Sequence, residues 1–285
     1  MRVFILTLLA MIAFAGNSLL CRFALKRTAI DAASFTFIRI LSGAVALWLV
    51  VTIRKRISQK AGSWASALAL FAYAAAFSFA YISLSAGTGA LLLFGAVQAT
   101  MILWGWRKGE RLRTRQWLGL ALAVGGLVAL LFPGLSAPPI DGALLMICAG
   151  IAWGIYSLRG KGAGDPATAT AGNFLRAVVF ATVLSIALLP WARLDRGGVG
   201  YAILSGAIAS GLGYVIWYSA LPGLKAASAA TVQLSVPVLA AAGGILFLGE
   251  SITLRFLLAS IAVLGGIALV VIEKMRAVPP NKISY

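Results

Sequence analysis

Two stretches of this sequence restrict its fold most strongly: GERLRTRQWLGLALAVGG (residues 109–126) and GESITLRFLLASIAVLGG (residues 249–266). Both begin with Gly-Glu, continue into a mostly apolar segment and end with Gly-Gly, and matching residues lie 140 positions apart. Further matches lie 137 positions apart: Phe37-Ile38-Arg39 with Phe174-Leu175-Arg176, and Tyr81 with Tyr218. The order of these matches along the chain predicts two related halves, residues 1–135 and 136–275, followed by a short tail, 276–285.

The composition predicts that both halves lie in a lipid bilayer. Of the 285 residues, 61% are hydrophobic and only 11% are charged, whereas a soluble domain carries about 25% charged residues. The net charge of +17 would suggest a nucleic-acid partner in a soluble protein. Here the basic residues lie between apolar runs, so we expect lipid and no nucleic acid as the partner.

Ten apolar runs are long enough to cross a bilayer, which takes about 20 residues in a helix. They are too evenly apolar for barrel strands, which alternate, so the predicted class is an all-α integral membrane protein. Because five is an odd number, the second half must insert upside down relative to the first. The expected fold is ten helices, arranged as a five-plus-five inverted repeat around a central cavity. The predicted spans are residues 3–23, 32–53, 64–84, 88–106, 115–132, 139–158, 168–189, 199–220, 226–248 and 253–272.

The basic residues predict the orientation. With a cytoplasmic N-terminus, sixteen of the 24 Lys and Arg residues fall on the inside and six on the outside. Since positively charged loops stay in the cytoplasm, we expect a multi-pass protein of the bacterial inner membrane with both termini cytoplasmic.

The repeated motifs resemble the EamA-type drug/metabolite transporter superfamily over residues 3–272. The residues that carry this resemblance are the two quoted stretches together with Pro237, twelve residues before Gly249. The first half departs from the pattern, because its fourth span lacks a proline and is shorter. The resemblance implies a transporter of small molecules through a central cavity, and within the superfamily the chain looks most like bacterial exporters of amino acids, including aromatic ones. We expect it to be a monomer.

The acidic residues restrict the mechanism. All seven lie at predicted span ends or in loops, and the chain contains no histidine. Proton-coupled transporters use ionisable groups inside the membrane, so we expect facilitated diffusion by alternating access. The lack of histidine and of a paired carboxylate site predicts no enzyme, no metal and no cofactor. The alternative is a transporter of the same superfamily for drugs, sugar nucleotides or lipid-linked metabolites, possibly driven by protons.

Polar and aromatic side chains near the middle of the spans are the candidates for substrate contact, since an unpaired amide or indole N–H in lipid is costly. Packing between helices is the alternative role for each. The candidates are Asn17, Tyr73, Phe77, Gln98, Trp153, Tyr214, Gln233 and Ser235.

Arg39 and Arg176 are the charged residues that lie well inside spans. Each could bind a substrate carboxylate, or could bind carbonyl groups at a helix end as a structural cation. Pro237 removes a backbone donor from the ninth span and is the candidate for a gating bend.

Overall fold

The computed structural model describes residues 1–54, 61–109, 113–132, 137–160, 165–220, 223–224 and 232–276. Within these residues all regular structure is helical, which confirms the predicted all-α class. The long helices are α1 (Arg2–Arg27), α2 (Ala32–Ile53), α3 (Trp64–Ala80), α4 (Ala86–Arg107), α5 (Thr114–Leu131), α6 (Ile140–Gly160), α7 (Pro166–Ala187), α8 (Arg196–Ala220), α9 (Ser235–Leu248) and α10 (Leu254–Arg276).

Eight of these described helices are long and apolar enough to cross a membrane. The other two, α3 and α9, are also apolar but shorter. A short 3₁₀ helix, Leu189–Trp191, follows α7. Inside α8, the segment Leu204–Leu212 is π-helical and separates two α-helical parts.

The structure changes two of the predicted spans. The fourth was expected to be short, at residues 88–106, but α4 has 22 residues, the same length as α2. Its first two residues, Ala86 and Gly87, were missed because the start is set by Ser85, which accepts a hydrogen bond from the backbone N–H of Thr88. The ninth was expected at 226–248, and its described helix begins at Ser235. Residues 225–231, the tail from residue 277 and Glu110 of the first Gly-Glu pair lie outside the described residues.

Side-chain caps fix where several helices begin, because the first backbone N–H groups of a helix need acceptors. Asp31 caps α2 through the N–H groups of Ala33 and Ser34, and Ser63 caps α3 through that of Ser66. Asp195 caps α8 in the same way. These caps set the ends of the helices that surround the central site.

Glycines allow two pairs of helices to approach closely, as is common in membranes. A Cβ atom on Gly119 would lie 2.5 Å from the carbonyl oxygen of Gly266, and one on Gly266 would lie 2.4 Å from that of Gly119. The two repeated stretches therefore pack against each other through α5 and α10. A Cβ on Gly206 would lie only 2.0 Å from the carbonyl oxygen of Arg39, so the π-helical segment lies directly against α2.

Candidate functional site

A small internal cavity lies where α1, α3, α4, α6 and α8 meet. Its volume is about 20 Å³, room for roughly one water molecule. Nearly all of the side chains around it are buried. We call it the central cavity, and it is lined by Phe14, Asn17, Ser18, Tyr73, Phe77, Leu93, Phe94, Trp153, Ala209 and Tyr214.

Aromatic rings form most of the wall of the central cavity. The Trp153 ring centroid lies 4.9 Å from that of Tyr73 and 5.0 Å from that of Tyr214. Tyr73 in turn packs on Phe77, with centroids 5.4 Å apart. These contacts join α3, α6 and α8, so the aromatic residues predicted from both halves of the sequence meet in one place.

A polar network converges on the Tyr73 hydroxyl, in the wall of the central cavity. Tyr73 and Asn17 line the cavity, whereas Arg39 and Ser205 are bonded to them without lining it themselves. The hydroxyl oxygen of Tyr73 accepts hydrogen bonds from Asn17 Nδ2 at 3.2 Å and from Arg39 Nη2 at 3.0 Å. The Ser205 hydroxyl donates to Asn17 Oδ1 at 2.6 Å. This network connects α1, α2, α3 and the π-helical segment of α8 at the edge of the cavity.

Arg39 is the cation of this network, and only 2% of the residue is exposed. Its Nε donates to Ser210 Oγ at 3.3 Å, and its guanidinium carbon lies 5.1 Å and 4.8 Å from the ring centroids of Tyr73 and Phe77. Nη1 is buried without a hydrogen-bond partner, and the ion pair found among the described residues does not involve Arg39. A buried guanidinium in this state carries an uncompensated desolvation cost.

Arg176, the residue that matches Arg39 in the repeat, has different surroundings. It is half-buried, and its Nη1 donates to the carbonyl oxygens of Ala61 at 2.7 Å and Gly172 at 2.9 Å. It also lies 6.0 Å from the ring centroid of Trp64. Of the two roles predicted for Arg176, these contacts fit that of a structural cation bound to carbonyl groups. Arg176 does not line the central cavity.

Three other predicted residues also lie elsewhere. Gln98 is buried in α4 and Gln233 is half-buried, but neither lines the central cavity. Ser235 is exposed, and its hydroxyl donates to the carbonyl oxygen of Val232 at 2.7 Å, which corrects its predicted cavity position. Pro237 lies in the first turn of α9, just after a turn at Leu234. There its missing N–H costs no helical hydrogen bond, and its gating role stays a prediction.

Ser205 and Ser210 were not predicted, although both belong to the network. They are five residues apart, and in an α-helix residues with that spacing point to different faces. A π-helical turn closes between residues i and i+5, which brings both serines towards α1 and α2. The pair of serines is visible in the sequence, but the π-helical turn that aligns them is not.

Each end of the helix bundle carries a larger cavity. One has a volume of about 200 Å³ and lies at the starts of α3 and α7 and the ends of α6 and α8. We call it the vestibule, and it is lined by Gly62, Ser63, Ser66, Tyr156, Arg159, Gly160, Ala169, Thr170, Asn173 and Tyr218. The other, of about 220 Å³, lies between the start of α4 and the α9–α10 connection and includes Glu250.

At the end opposite the vestibule, an ion pair joins the two halves of the sequence. Arg22 Nε lies 3.2 Å from Glu250 Oε1, and Arg22 Nη1 donates to the carbonyl oxygens of Tyr81 and Ile82, each at 2.9 Å. Glu250 Oε2 accepts from the backbone N–H of Ala86 at 2.8 Å. We call the pair of Arg22 and Glu250 the latch. It was not predicted, since both residues were interpreted as separate features of loops and span ends.

Known proteins resemble this chain over half of its length or more. An uncharacterised protein of Pseudomonas aeruginosa is 59% identical over 275 residues, which cover 96% of each chain. The threonine/homoserine exporter RhtA of Escherichia coli is 36% identical over 155 residues, 51% of each chain. A solved crystal structure with 15% sequence identity superposes with a TM-score of 0.68 over 96% of this chain and 98% of its own.

A family match identifies the chain more directly. The sequence profile of the EamA-like transporter family matches residues 1–132 and 140–272. These two ranges contain every helix described above except the last residues of α10. The all-helical fold, the apolar helices and the internal cavity are consistent with that match. The chain therefore belongs to the EamA-like transporter family.

Proposed function

We propose that this protein exports small carboxylate-bearing molecules, neutral and aromatic amino acids in particular, across the bacterial inner membrane. The proposed architecture is the ten-helix, five-plus-five inverted repeat with both termini in the cytoplasm. Substrate binds in the central cavity and crosses by alternating access, down its own gradient. The protein acts as a monomer without a cofactor.

The observation that carries this proposal is the state of Arg39. Its guanidinium is buried beside the central cavity, has a free donor at Nη1 and pairs with no carboxylate of the described residues. Because a buried charge is stable only when it is paired and hydrogen-bonded, a ligand carboxylate is the natural partner. A guanidinium also binds a carboxylate through two parallel hydrogen bonds, which fixes its orientation.

The rest of the cavity wall suits the remainder of an amino acid. The Asn17 side chain supplies an amide oxygen that can accept from an ammonium group, in competition with the Ser205 hydroxyl. The rings of Tyr73, Trp153 and Tyr214 supply apolar surface and can attract a cation through their faces. The similarity to RhtA, which is named a threonine/homoserine exporter, supports the same substrate class.

The inverted architecture is supported by the family match to two successive segments and by the repeat offsets of 137 and 140 residues. A cavity at each end of the bundle, with a small one between them, is compatible with alternating access. The central cavity is too small for an amino acid as it stands, so the described state is a closed one and must widen to bind.

Passive transport is supported by the chemistry of the central cavity, since the described residues that line it include neither aspartate nor glutamate. One observation favours proton coupling as a second candidate. Glu250 lines the cavity at the latch end, and a proton on it would break its pairing with Arg22.

Uptake into proteoliposomes that contain the pure protein tests both candidates. We expect saturable flux of labelled neutral amino acids, and no flux of their amides, because an amide lacks the charge that Arg39 requires. Passive transport predicts the same rate with and without a pH gradient, whereas proton coupling predicts a rate that follows the gradient. Flux that never exceeds that of empty vesicles, for every amino acid, would contradict the proposed function.

A further inference from the structure

We propose that the vestibule is a second, outer binding site, which captures the substrate carboxylate through Arg159 before the molecule reaches the central cavity. This inference rests on the proposed function and adds a site and a residue to it. The occupant is the same class of small carboxylate, held more weakly than at Arg39.

The vestibule has the volume and the polarity for such a ligand. At about 200 Å³ it is far larger than the central cavity. Its wall combines the hydroxyl groups of Ser63, Ser66, Tyr156, Thr170 and Tyr218 with the Asn173 amide and the Arg159 guanidinium. None of the described residues that line it is acidic. A polar, positively charged cavity of this kind attracts and concentrates anions.

Arg159 is positioned for capture. It is exposed at the end of α6, and its Nε donates to Ser66 Oγ at 3.1 Å, which holds the side chain against the start of α3. This bond uses Nε, and no hydrogen bond joins either terminal nitrogen of Arg159 to the described residues. Arg176 lies beside the vestibule as well, but its Nη1 is bonded to the carbonyl oxygens of Ala61 and Gly172.

The floor of the vestibule adjoins the central cavity. Tyr156 is buried between them, and its ring centroid lies 5.4 Å from that of Trp153, which lines the central cavity. Asn173 holds this floor in place, since its Oδ1 accepts from the backbone N–H of Ser63 at 2.8 Å and its Nδ2 donates to the Tyr156 hydroxyl at 3.5 Å. A displacement of Tyr156 and Trp153 would join the two cavities.

The repeat supports a special role for this arginine. Arg159 matches Arg22 at the same offset of 137 residues that relates Arg39 to Arg176. Arg22 pairs with Glu250, whereas Arg159 contacts a neutral serine and lines the vestibule. The same residue type therefore has a carboxylate partner at one end and lacks one, among the described residues, at the other.

The test is a sided transport measurement on the full-length protein in proteoliposomes of uniform orientation. We expect Arg159→Gln to raise KM roughly fivefold for substrate supplied from the vestibule side, with little change in kcat, because an exposed charge acts mainly on association. KM for substrate supplied from the latch side should not change. High salt should shrink the effect, since an exposed charge is screened.

Two variants and a change of lipid separate this role from its alternatives. Arg159→Lys keeps the charge, so its KM should stay close to the wild-type value. Arg54→Gln removes an exposed charge from the same end of the bundle but outside the vestibule, and its KM should not change. Thermal unfolding of Arg159→Gln verifies its fold. The experiment is repeated in vesicles of zwitterionic lipid alone, because an anionic lipid headgroup is the other anion that Arg159 could bind.

An unchanged KM in Arg159→Gln, or an equal rise for substrate from both sides, would overturn the inference while leaving the proposed function in place. An effect that disappears in zwitterionic vesicles would overturn it too, because Arg159 would then bind lipid. Wild-type vesicles without any amino-acid flux would instead refute the proposed function itself.

Discussion

Arg39 and Arg176 occupy matching positions of the internal repeat but have very different surroundings. Arg39 is fully buried beside the central cavity, with bonds to two hydroxyl groups and a donor that lacks a partner. Arg176 is half-buried near the end of the bundle, where two backbone carbonyls satisfy it. The same divergence separates Arg22 from Arg159. A repeated sequence motif therefore gives matching residues on α2 and α7, while the helices packed against them determine whether each residue stabilises the structure or is left able to bind.

The sharpest way to break this comparison is to neutralise each of the two matching arginines, Arg39 and Arg176, in turn. We expect Arg39→Gln to lower kcat/KM by two orders of magnitude or more, because removing one partner of a buried, hydrogen-bonded charge pair costs about 2–5 kcal/mol. Arg176→Gln should change kcat/KM by less than about threefold and should instead lower the unfolding temperature, since it loses two hydrogen bonds from a charged donor.

Initial rates of uptake and thermal unfolding in detergent, measured on both variants, provide the check. Arg39→Lys belongs in the series, because a lysine keeps the charge but loses the planar fork of donors, and it should recover only part of the activity. Equal losses of transport in Arg39→Gln and Arg176→Gln would contradict the assignment of different roles.

The second comparison concerns the two ends of the bundle. We expect Glu250→Gln to weaken the latch and to open its end, since the ion pair and the charge on the acceptor of the Ala86 N–H are both lost. A cysteine introduced at Thr88, which lines the cavity at that end, should react several times faster with a water-soluble thiol reagent in the Glu250→Gln background. A cysteine at Ser63 in the vestibule is the matched control and should not become more reactive. A Thr88 cysteine whose reaction rate does not change would show that the latch does not close this end.

The smallest effect is expected at the helix caps. Asp31 and Asp165 precede α2 and α7, the helices that carry Arg39 and Arg176. Asp31 accepts from the N–H groups of Ala33 and Ser34 and, in the α7–α8 connection, from that of Arg193. The Asp165 carboxylate accepts from the Thr168 hydroxyl. We expect Asp31→Ala to lower the free energy of unfolding by about 1 kcal/mol, and Asp165→Ala by less.

The pH dependence of unfolding provides a second check on Asp31. Burial alone would raise the pKa of its carboxyl group, but hydrogen bonds from Ser34, Arg193 and Ala33 outweigh burial and hold the pKa below its ordinary value. The stabilisation is therefore complete above the pKa of the unfolded chain, about 3.9, and is lost as the pH falls through the lower pKa of the folded protein. Denaturant titrations of wild type and Asp31→Ala should converge as the pH falls below 3.9. A difference that persists in full below the pKa of the folded protein would contradict the charge-assisted cap.

The helices could be predicted from the sequence because apolar length is a direct consequence of bilayer thickness. The residue at which a helix begins depends on its local cap. The start of α4 is set by the Ser85 cap, and the apolar run alone did not reveal that start. The aromatic residues of the central cavity were predictable from the repeat, since matching stripes on α3 and α8 must face a common centre if the halves are related.

The remaining parts of the site depend on contacts that a linear pattern does not contain. Gln98, Gln233 and Ser235 are polar residues in apolar runs, but periodicity in an evenly apolar helix does not identify which face turns inward. Ser205 and Ser210 share a face only because α8 contains a π-helical segment. The latch joins residues 228 positions apart, so its charges become a pair only after α1 and the α9–α10 connection have come together.

The unpaired donor of Arg39 also bears on the kinetics of a complete transport cycle. A carrier that moves substrate out must return empty, and during that return the buried guanidinium has no carboxylate to offset its desolvation. Under the proposed function, a loaded carrier would have such a partner and would cross the closed state at lower cost. We then expect the empty return to limit net flux, and unlabelled substrate on the opposite side to speed the movement of labelled substrate. The chemistry of one side chain would thus make exchange of substrates faster than their net release.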